Sequence, residues 1–230
     1  MEENPNNLET RLRPQVKICG ITRIEDALAA AHAGADALGF VFYAKSPRNV
    51  SPEQARSIIA RLPFPLATIG VFVNETLADI LEKVNHCGLS GVQLHGNEPP
   101  DLVLQLLEHK ITVIKALFAQ NTPGFDQANT YRPSAFLVEC GKGILPGGNA
   151  MTWNWADAGR VPRTLPLVLA GGLSPDNVAD AVNQSHPDGV DVSSGVEIHP
   201  GIKDHDKIKR FMESVPKMPG CRSIFHGNRP

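Results

Sequence analysis

The 230-residue sequence predicts an α/β fold, a closed (β/α)8 TIM barrel in a single domain, and three observations carry that prediction. Short runs rich in Val, Ile and Leu alternate with amphipathic stretches, as parallel strands joined by helices do. Eight such units occur, with strand starts 22, 29, 25, 20, 24, 31 and 23 residues apart, a spacing close to one strand plus one helix each time. A composition that is 42% hydrophobic and 20% charged lets a chain of this length bury a large core without disulfide or metal staples.

The first strand starts at Gln15 (QVKICG), after a polar N-terminal extension over residues 1–14, and a helix follows from Ile24 to His32 with apolar residues at three and four spacing. The second strand starts at Ala37 (ALGFVF). Its helix opens on Ser51-Pro52-Glu53, an N-cap hydroxyl, a proline at the first position and an acid at the positive end of the dipole. The third strand starts at Leu66 (LATIGVFV) with a helix from Leu77 to His86, and the fourth at Gly91 (GVQLHG) with a helix from Pro99 to His109. After the fifth strand at Ile111 (ITVIKAL) and the sixth at Ala135 (AFLVEC), Phe125 to Tyr131 and Trp153 to Gly159 are short and uneven, so each predicts only a turn or two of helix. The seventh strand starts at Pro166 (PLVLAGG), with Ser174-Pro175-Asp176 repeating the helix-start device. The eighth starts at Gly189 (GVDVSSG), with a last helix from Asp204 to Val215. The barrel thus spans residues 15–215. Residues 216–230 hold Pro and Gly breakers without periodicity and predict a loose C-terminal tail.

Several classes are excluded. A doubly wound sheet would carry G-x-G-x-x-G after the first strand, where the chain reads Gly20-Ile21-Thr22-Arg23-Ile24-Glu25, and no G-x-x-x-x-G-K-[ST] occurs. Twenty-two Lys and Arg against 24 Asp and Glu leave a formal charge of -2, without the basic footprint that nucleic acid requires. The longest apolar stretches fall short of the ~20 residues that span a bilayer, and MEENPNNLETRLRP lacks the regions of a secretory signal, so a soluble, cytoplasmic protein is expected. Cysteines at 19, 87, 140 and 221 have no C-x-x-C pairing and no His at ligand spacing, which argues against both a metal site and a disulfide framework.

In a barrel, chemistry sits at the C-terminal ends of the strands. Those ends offer Cys19-Gly20, Asn74, Gln93 with His95, Lys115, Glu139-Cys140, Gly171-Gly172, and Asp191 with Ser193 and Ser194. LAGGLSPDN and VDVSSGV place Gly171-Gly172 and Ser193-Ser194-Gly195 on adjacent strands, where amides and hydroxyls can surround a phosphate dianion. The alternative is a pair of tight turns with caps. A phosphorylated small molecule is therefore the expected ligand. Lys17 shares a strand face with Cys19, so its ammonium is expected to lower the thiol pKa and make it a proton acceptor. A buried small hydrophobe is the other reading of Cys19. Glu139, across the barrel, is either an acid facing that thiol or an ion-pair partner of Lys115 or Lys17. Arg48, in YAKSPRNV, offers a planar fork for a carboxylate or is simply solvated.

VKICGITRIEDALAAAHAGADALGFVFYAKSPRNVSPEQAR, GVFVN, VQLHG, LAGGLSPDNV and VDVSSGVEIHPGIKDHDKI together resemble phosphoribosylanthranilate isomerase, over about Gln15 to Val215. The resemblance implies a barrel enzyme of tryptophan biosynthesis that performs a cofactor-free and metal-free Amadori rearrangement. It implies Cys19 as general base, Arg48 against the anthranilate carboxylate, Gly171, Gly172, Ser193, Ser194 and Gly195 as the phosphate cradle, and Gln93, His95 and Asp191 lining the pocket. A monomer or a homodimer is compatible with it. One position departs from the pattern: Glu139 stands where the family has Asp as general acid, followed by CGKGILPGGNAMTWNW in place of a Gly-Gly-Ser/Thr-Gly-x-x-Phe-Asp-Trp run. Either Glu139 acts with compensating backbone shifts, or another group supplies the proton, or activity is low. Shared carboxyl chemistry favours the first. The competing functions are another sugar-phosphate barrel enzyme, such as an indole-glycerol-phosphate synthase-like or epimerase-like activity, and a non-catalytic sugar-phosphate-binding barrel.

Overall fold

Eight parallel strands pair in chain order and close, the last against the first, in a computed structural model that describes residues 12–141 and 152–226. The strands are β1 Gln15–Cys19, β2 Ala37–Phe42, β3 Ala67–Phe72, β4 Gly91–Leu94, β5 Thr112–Phe118, β6 Ala135–Glu139, β7 Leu167–Leu169 and β8 Gly189–Val192. The outer layer holds α1 Ile24–His32, α2 Pro52–Ile59, α3 Leu77–Cys87, α4 Pro100–Glu108, α5 Val178–Ser185 and α6 His205–Ser214. After β5 and β6 the described residues of the connections form 3-10 turns, Phe125–Thr130 and Trp155–Arg160, as their uneven apolar spacing predicts. Most of the predicted N-terminal extension, the segment 142–151 after β6 and the last four residues lie outside the described residues.

Alternation along each strand divides the buried side chains into two sets. One faces the helices and includes Val16, Ile18, Leu38, Val92, Leu117 and Val138. The other fills the lumen and includes Ala37, Ile69, Ala116, Leu137 and Ala170. This parity decides which strand-end residues can meet a ligand. Cys19 shares the lumen phase with Lys17, and Glu139 with Leu137. Lys115 falls between the lumen residues Ile114 and Ala116, so it points into the outer layer. There its Nζ donates to Glu98 Oε2 and to Gly96 O, each at 2.7 Å, which removes it from the strand-end candidates. Asn74 is likewise absorbed into structure: its amide donates to Glu98 Oε1 at 3.0 Å and its Oδ1 accepts from the Asn97 amide at 2.7 Å, tying the loops after β3 and β4 together.

Ser51 caps α2 as predicted, its hydroxyl accepting from the Gln54 amide. Ser174-Pro175-Asp176 does not begin a helix directly. Asn177 donates to Gly172 O and accepts from the Ser174 amide, which holds these residues as a turn, and α5 starts at Val178. After β8 the chain makes a 3-10 turn, Ser194–Val196, then an antiparallel pair not expected from the sequence, β9 Glu197–His199 and β10 Ile202–Lys203. Segments of three and two residues are too short to show alternation.

The predicted loose tail is packed through Phe225. Ile224 and Phe225 enter the lumen set at the N-terminal end of the barrel, where Gln15 Oε1 accepts from both of their amides and Gln15 Nε2 donates to Phe225 O. Two apolar side chains among Pro and Gly breakers suffice because the barrel floor supplies their partners. Arg222 anchors the tail by donating from Nε and Nη2 to Asp188. Burial pushes the Asp188 carboxyl up, but hydrogen bonds from Arg222 and from the Leu167 amide outweigh it and hold it below the usual carboxylate range. A carboxyl depressed in the folded state stabilises above its unfolded pKa, ~3.9, and the contribution disappears as pH falls through the lower folded value. Arg222→Met is therefore expected to cost about 1–3 kcal/mol in chemical denaturation at pH 7, with the gap to wild type closing below about pH 4. A gap that is the same at pH 3 and pH 7 would contradict this account.

Candidate active site

Two buried polar clusters meet the lumen at the C-terminal ends of the strands. The first surrounds β1 and β8. Lys17 and Asp191 face each other in register and form an ion pair with Nζ 3.0 Å from Oδ1. Gly39 of β2 leaves the space they need: a Cβ there would lie 2.7 Å from Cys19 Sγ and 3.0 Å from Lys17 Nζ. The electrostatics correct one expectation. Burial pushes the Cys19 thiol up, and Lys17, although it opposes this, does not reverse it. Lys17 is itself held above the ordinary lysine value, because Asp191 and Cys19 outweigh its burial. The resting cluster is a Lys17–Asp191 ion pair beside a neutral thiol. Sequence shows the ammonium two residues away but not the depth at which both lie.

Above this pair, Arg48 reaches over from the loop after β2. It is buried rather than solvated, and Nε and Nη2 meet Glu197 at 2.9 and 2.7 Å. Glu197 also accepts from Lys203 Nζ at 2.8 Å, and Lys203 donates to the carbonyl and hydroxyl oxygens of Ser193. Burial pushes the Glu197 carboxyl up, but these two cations overcome it and hold it below the usual range. Among the described residues Arg48 Nη1 donates to no protein acceptor, so one edge of the fork remains for a ligand. Glu197 and Lys203 escaped sequence reasoning. The available signal was a charge on either side of the Pro200-Gly201 turn, directly after Ser193-Ser194-Gly195.

The loops after β7 and β8 come together beside this network. A Cβ on Gly195 would overlap the carbonyl oxygen of Leu173, so only glycine permits their contact. Gly171 and Gly172 both take left-handed backbone, φ +87 and +70. Among the described residues neither of their amides donates to a protein acceptor, as an anion-binding turn requires. Ser193 and Ser194 form the facing wall at the start of the 3-10 turn.

The second cluster lies on β4 and β6. Glu139 pairs with neither lysine considered for it, since Lys17 meets Asp191 and Lys115 meets Glu98. Its Oε1 lies 3.3 Å from His95 Nε2, and His95 Nδ1 lies 2.9 Å from Gln93 Nε2. Gln93 is 1% exposed and sits behind His95. A Cβ on Gly171 would come within 3.3 Å of Glu139 Cβ, so the glycine turn and the carboxyl are neighbours. Trp153 and Trp155, after the sixth strand, donate to Ala170 O at 3.0 Å and Gly171 O at 3.5 Å, just beyond the end of β7. Among the described residues no helix is long and apolar enough to cross a membrane.

A family model for N-(5'-phosphoribosyl)anthranilate (PRA) isomerase matches residues 16–214. An N-(5'-phosphoribosyl)anthranilate isomerase of Pelobacter propionicus is 51% identical over 198 residues, covering 86% of this chain and 93% of the relative. The crystal structure of the phosphoribosyl anthranilate isomerase from Thermotoga maritima superposes with a TM-score of 0.79 at 44% identity, covering 87% of this chain and 98% of that one. A phosphoribosyl anthranilate isomerase in complex with reduced 1-(o-carboxyphenylamino)-1-deoxyribulose 5-phosphate superposes at 0.76 with 43% identity, covering 87% and 97%.

Proposed function

Since the chain belongs to the N-(5'-phosphoribosyl)anthranilate isomerase family, as a tryptophan-biosynthetic enzyme, we propose how its own residues divide that reaction. Glu139 gives a proton to the furanose ring oxygen, the C1–O bond breaks, and the nitrogen lone pair closes a C1–N iminium. Cys19, as thiolate, takes the proton from C2, and the released electron pair makes the C1–C2 double bond of an enolamine while nitrogen recovers its lone pair. Loss of the C2 hydroxyl proton and protonation at C1 complete the ketone, 1-(2-carboxyphenylamino)-1-deoxyribulose 5-phosphate. Each positioned proton transfer contributes ~10²–10⁴-fold.

The observation that carries this reading is a β6 carboxyl that meets no lysine among the described residues, on the same lumen as the β1 thiol. The remaining parts hold the substrate between them. Gly171, Gly172, Ser193, Ser194 and Gly195 take the phosphate, with the Lys203 ammonium behind Ser193. The free edge of Arg48 takes the anthranilate carboxylate, while Glu197 fixes the rest of its fork. Gln93 and His95 act through Glu139, and Asp191 balances Lys17 beneath the thiol. The substrate is thus a small phosphorylated molecule, nucleic acid has no part in the reaction, and the setting is the cytoplasm, with the chain as a monomer or homodimer.

Turnover of phosphoribosylanthranilate by the purified protein, followed as loss of anthranilate-type fluorescence, tests the reading. Soluble protein that gives no turnover and fails to restore growth of a tryptophan auxotroph lacking the isomerase would overturn it. Arg48→Ala is expected to raise KM about tenfold to hundredfold with a smaller change in kcat, because a charge-assisted anchor acts on ground and transition states alike. A change confined to kcat would place Arg48 in the chemistry instead.

A further inference from the structure

We infer that Gln93 is a positioning residue: its amide sets the ring tautomer of His95, which pins one oxygen of Glu139 and leaves the other to carry the proton that the substrate receives. The inference rests on Glu139 as the acid and deepens that reading. Gln93 and His95 are two apart, at the end of β4, so both project from the same face toward the lumen. The ring of His95 stands edge-on to Phe118, centroids 5.5 Å apart and planes at 89°, which fixes its orientation.

The protonation pattern follows from accounting for every donor. One end of the Gln93 amide faces His95 Nδ1 at 2.9 Å, and the other end, assigned as Oε1, is buried without a partner among the described residues. As placed, the amide leaves that acceptor and its second N–H without partners among the described residues; rotated by 180° it would leave both N–H donors without partners instead, the costlier arrangement because buried orphan N–H groups are rarer than under-satisfied carbonyls. The NH2 therefore faces Nδ1, and because it can only donate, Nδ1 is bare and the ring proton sits on Nε2. That Nε2–H donates to Glu139 Oε1 at 3.3 Å.

Glu139 Oε2 makes no hydrogen bond to the described residues, so in the acid form it is the oxygen that bears the proton. The hydrogen bond to Oε1 is retained when that proton leaves and stabilises the carboxylate left behind. The opposite tautomer would do harm. A proton on Nδ1 would turn the lone pair of Nε2 toward Glu139, and the carboxyl would donate to the ring instead of to the substrate. Pinning also restricts a side chain with three rotatable bonds to one geometry before substrate arrives.

The experiment is long-range ¹H–¹⁵N NMR on protein labelled in histidine, paired with kinetics on phosphoribosylanthranilate. Wild type is expected to show His95 protonated at Nε2 alone. Gln93→Met removes the donor, releases the tautomer, and is expected to lower kcat about tenfold to hundredfold with KM held within about threefold. Gln93→Glu, whose carboxylate accepts from Nδ1–H, is expected to move the proton to Nδ1 and to lower kcat further than Gln93→Met. A wild-type spectrum with the proton on Nδ1, or an unchanged kcat in Gln93→Met, overturns the inference. The wild-type spectrum decides alone if the variants do not fold. An unchanged kcat in Glu139→Gln would instead remove the acid reading beneath it, whichever tautomer is found.

Discussion

Cys19→Ala is expected to lower kcat by about 10²–10⁴-fold, the worth of a positioned base, while binding of a reduced product analogue stays within a few-fold of wild type. The thiol is the lumen group at the end of β1, and Gly39 leaves the space around it, so alanine creates no clash and removes only the proton acceptor. Its environment also gives the variant a signature. Burial favours the neutral thiol in the folded protein. The thiolate fraction, and with it the wild-type rate, should therefore climb as pH rises toward the elevated thiol pKa. Linkage runs the other way for stability: a thiol raised by folding stabilises below its unfolded pKa of ~8.5, and that contribution is lost as pH rises through the folded value. Cys19→Ala should abolish the alkaline rise in rate and flatten the alkaline decline in stability. Retention of full activity, measured by the fluorescence assay, would take the thiol out of the reaction.

Glu139→Gln is expected to cost at least about 100-fold in kcat, since the amide keeps the shape and cannot give a proton to the ring oxygen. The substitution is mild structurally. The carbonyl of the new amide would still accept from His95 Nε2–H, and among the described residues Glu139 has no lysine partner for the change to strand. A fall in kcat with KM little altered separates loss of the acid from loss of binding. An unchanged rate would reassign the proton to another group.

The fold was legible because each barrel strand is buried on both sides and therefore written as an apolar run bounded by turn residues. The predicted starts at Gln15, Ala37, Gly91, Ala135 and Gly189 coincide with those in the structure, and Leu66, Ile111 and Pro166 each precede theirs by one residue. What stayed hidden depends on depth and on chain-distant partners. Lys115 sits at a strand end in the sequence, yet period-two alternation around Ala116 sends it outward to Glu98. Glu197 and Lys203 gain meaning only when β9 and β10 bring them to Arg48 and Ser193. The sign of the Cys19 shift turned on burial, which no spacing reports. Glu139 carried two readings in the sequence, and the pairing of Lys17 and Lys115 with other carboxylates depends on contacts between distant strands that no spacing reports.

The floor of the cylinder has a temporal consequence. Gln15 opens the first stave, and the amides and carbonyl that satisfy its side chain belong to residues 224 and 225, about two hundred positions further along. During synthesis the early staves must wait, with a polar amide unsatisfied and an apolar base uncovered, until residues 224 and 225 have left the ribosome. Nascent chains halted before residue 224 should therefore remain sensitive to protease and bound by chaperones, even with all eight staves already made.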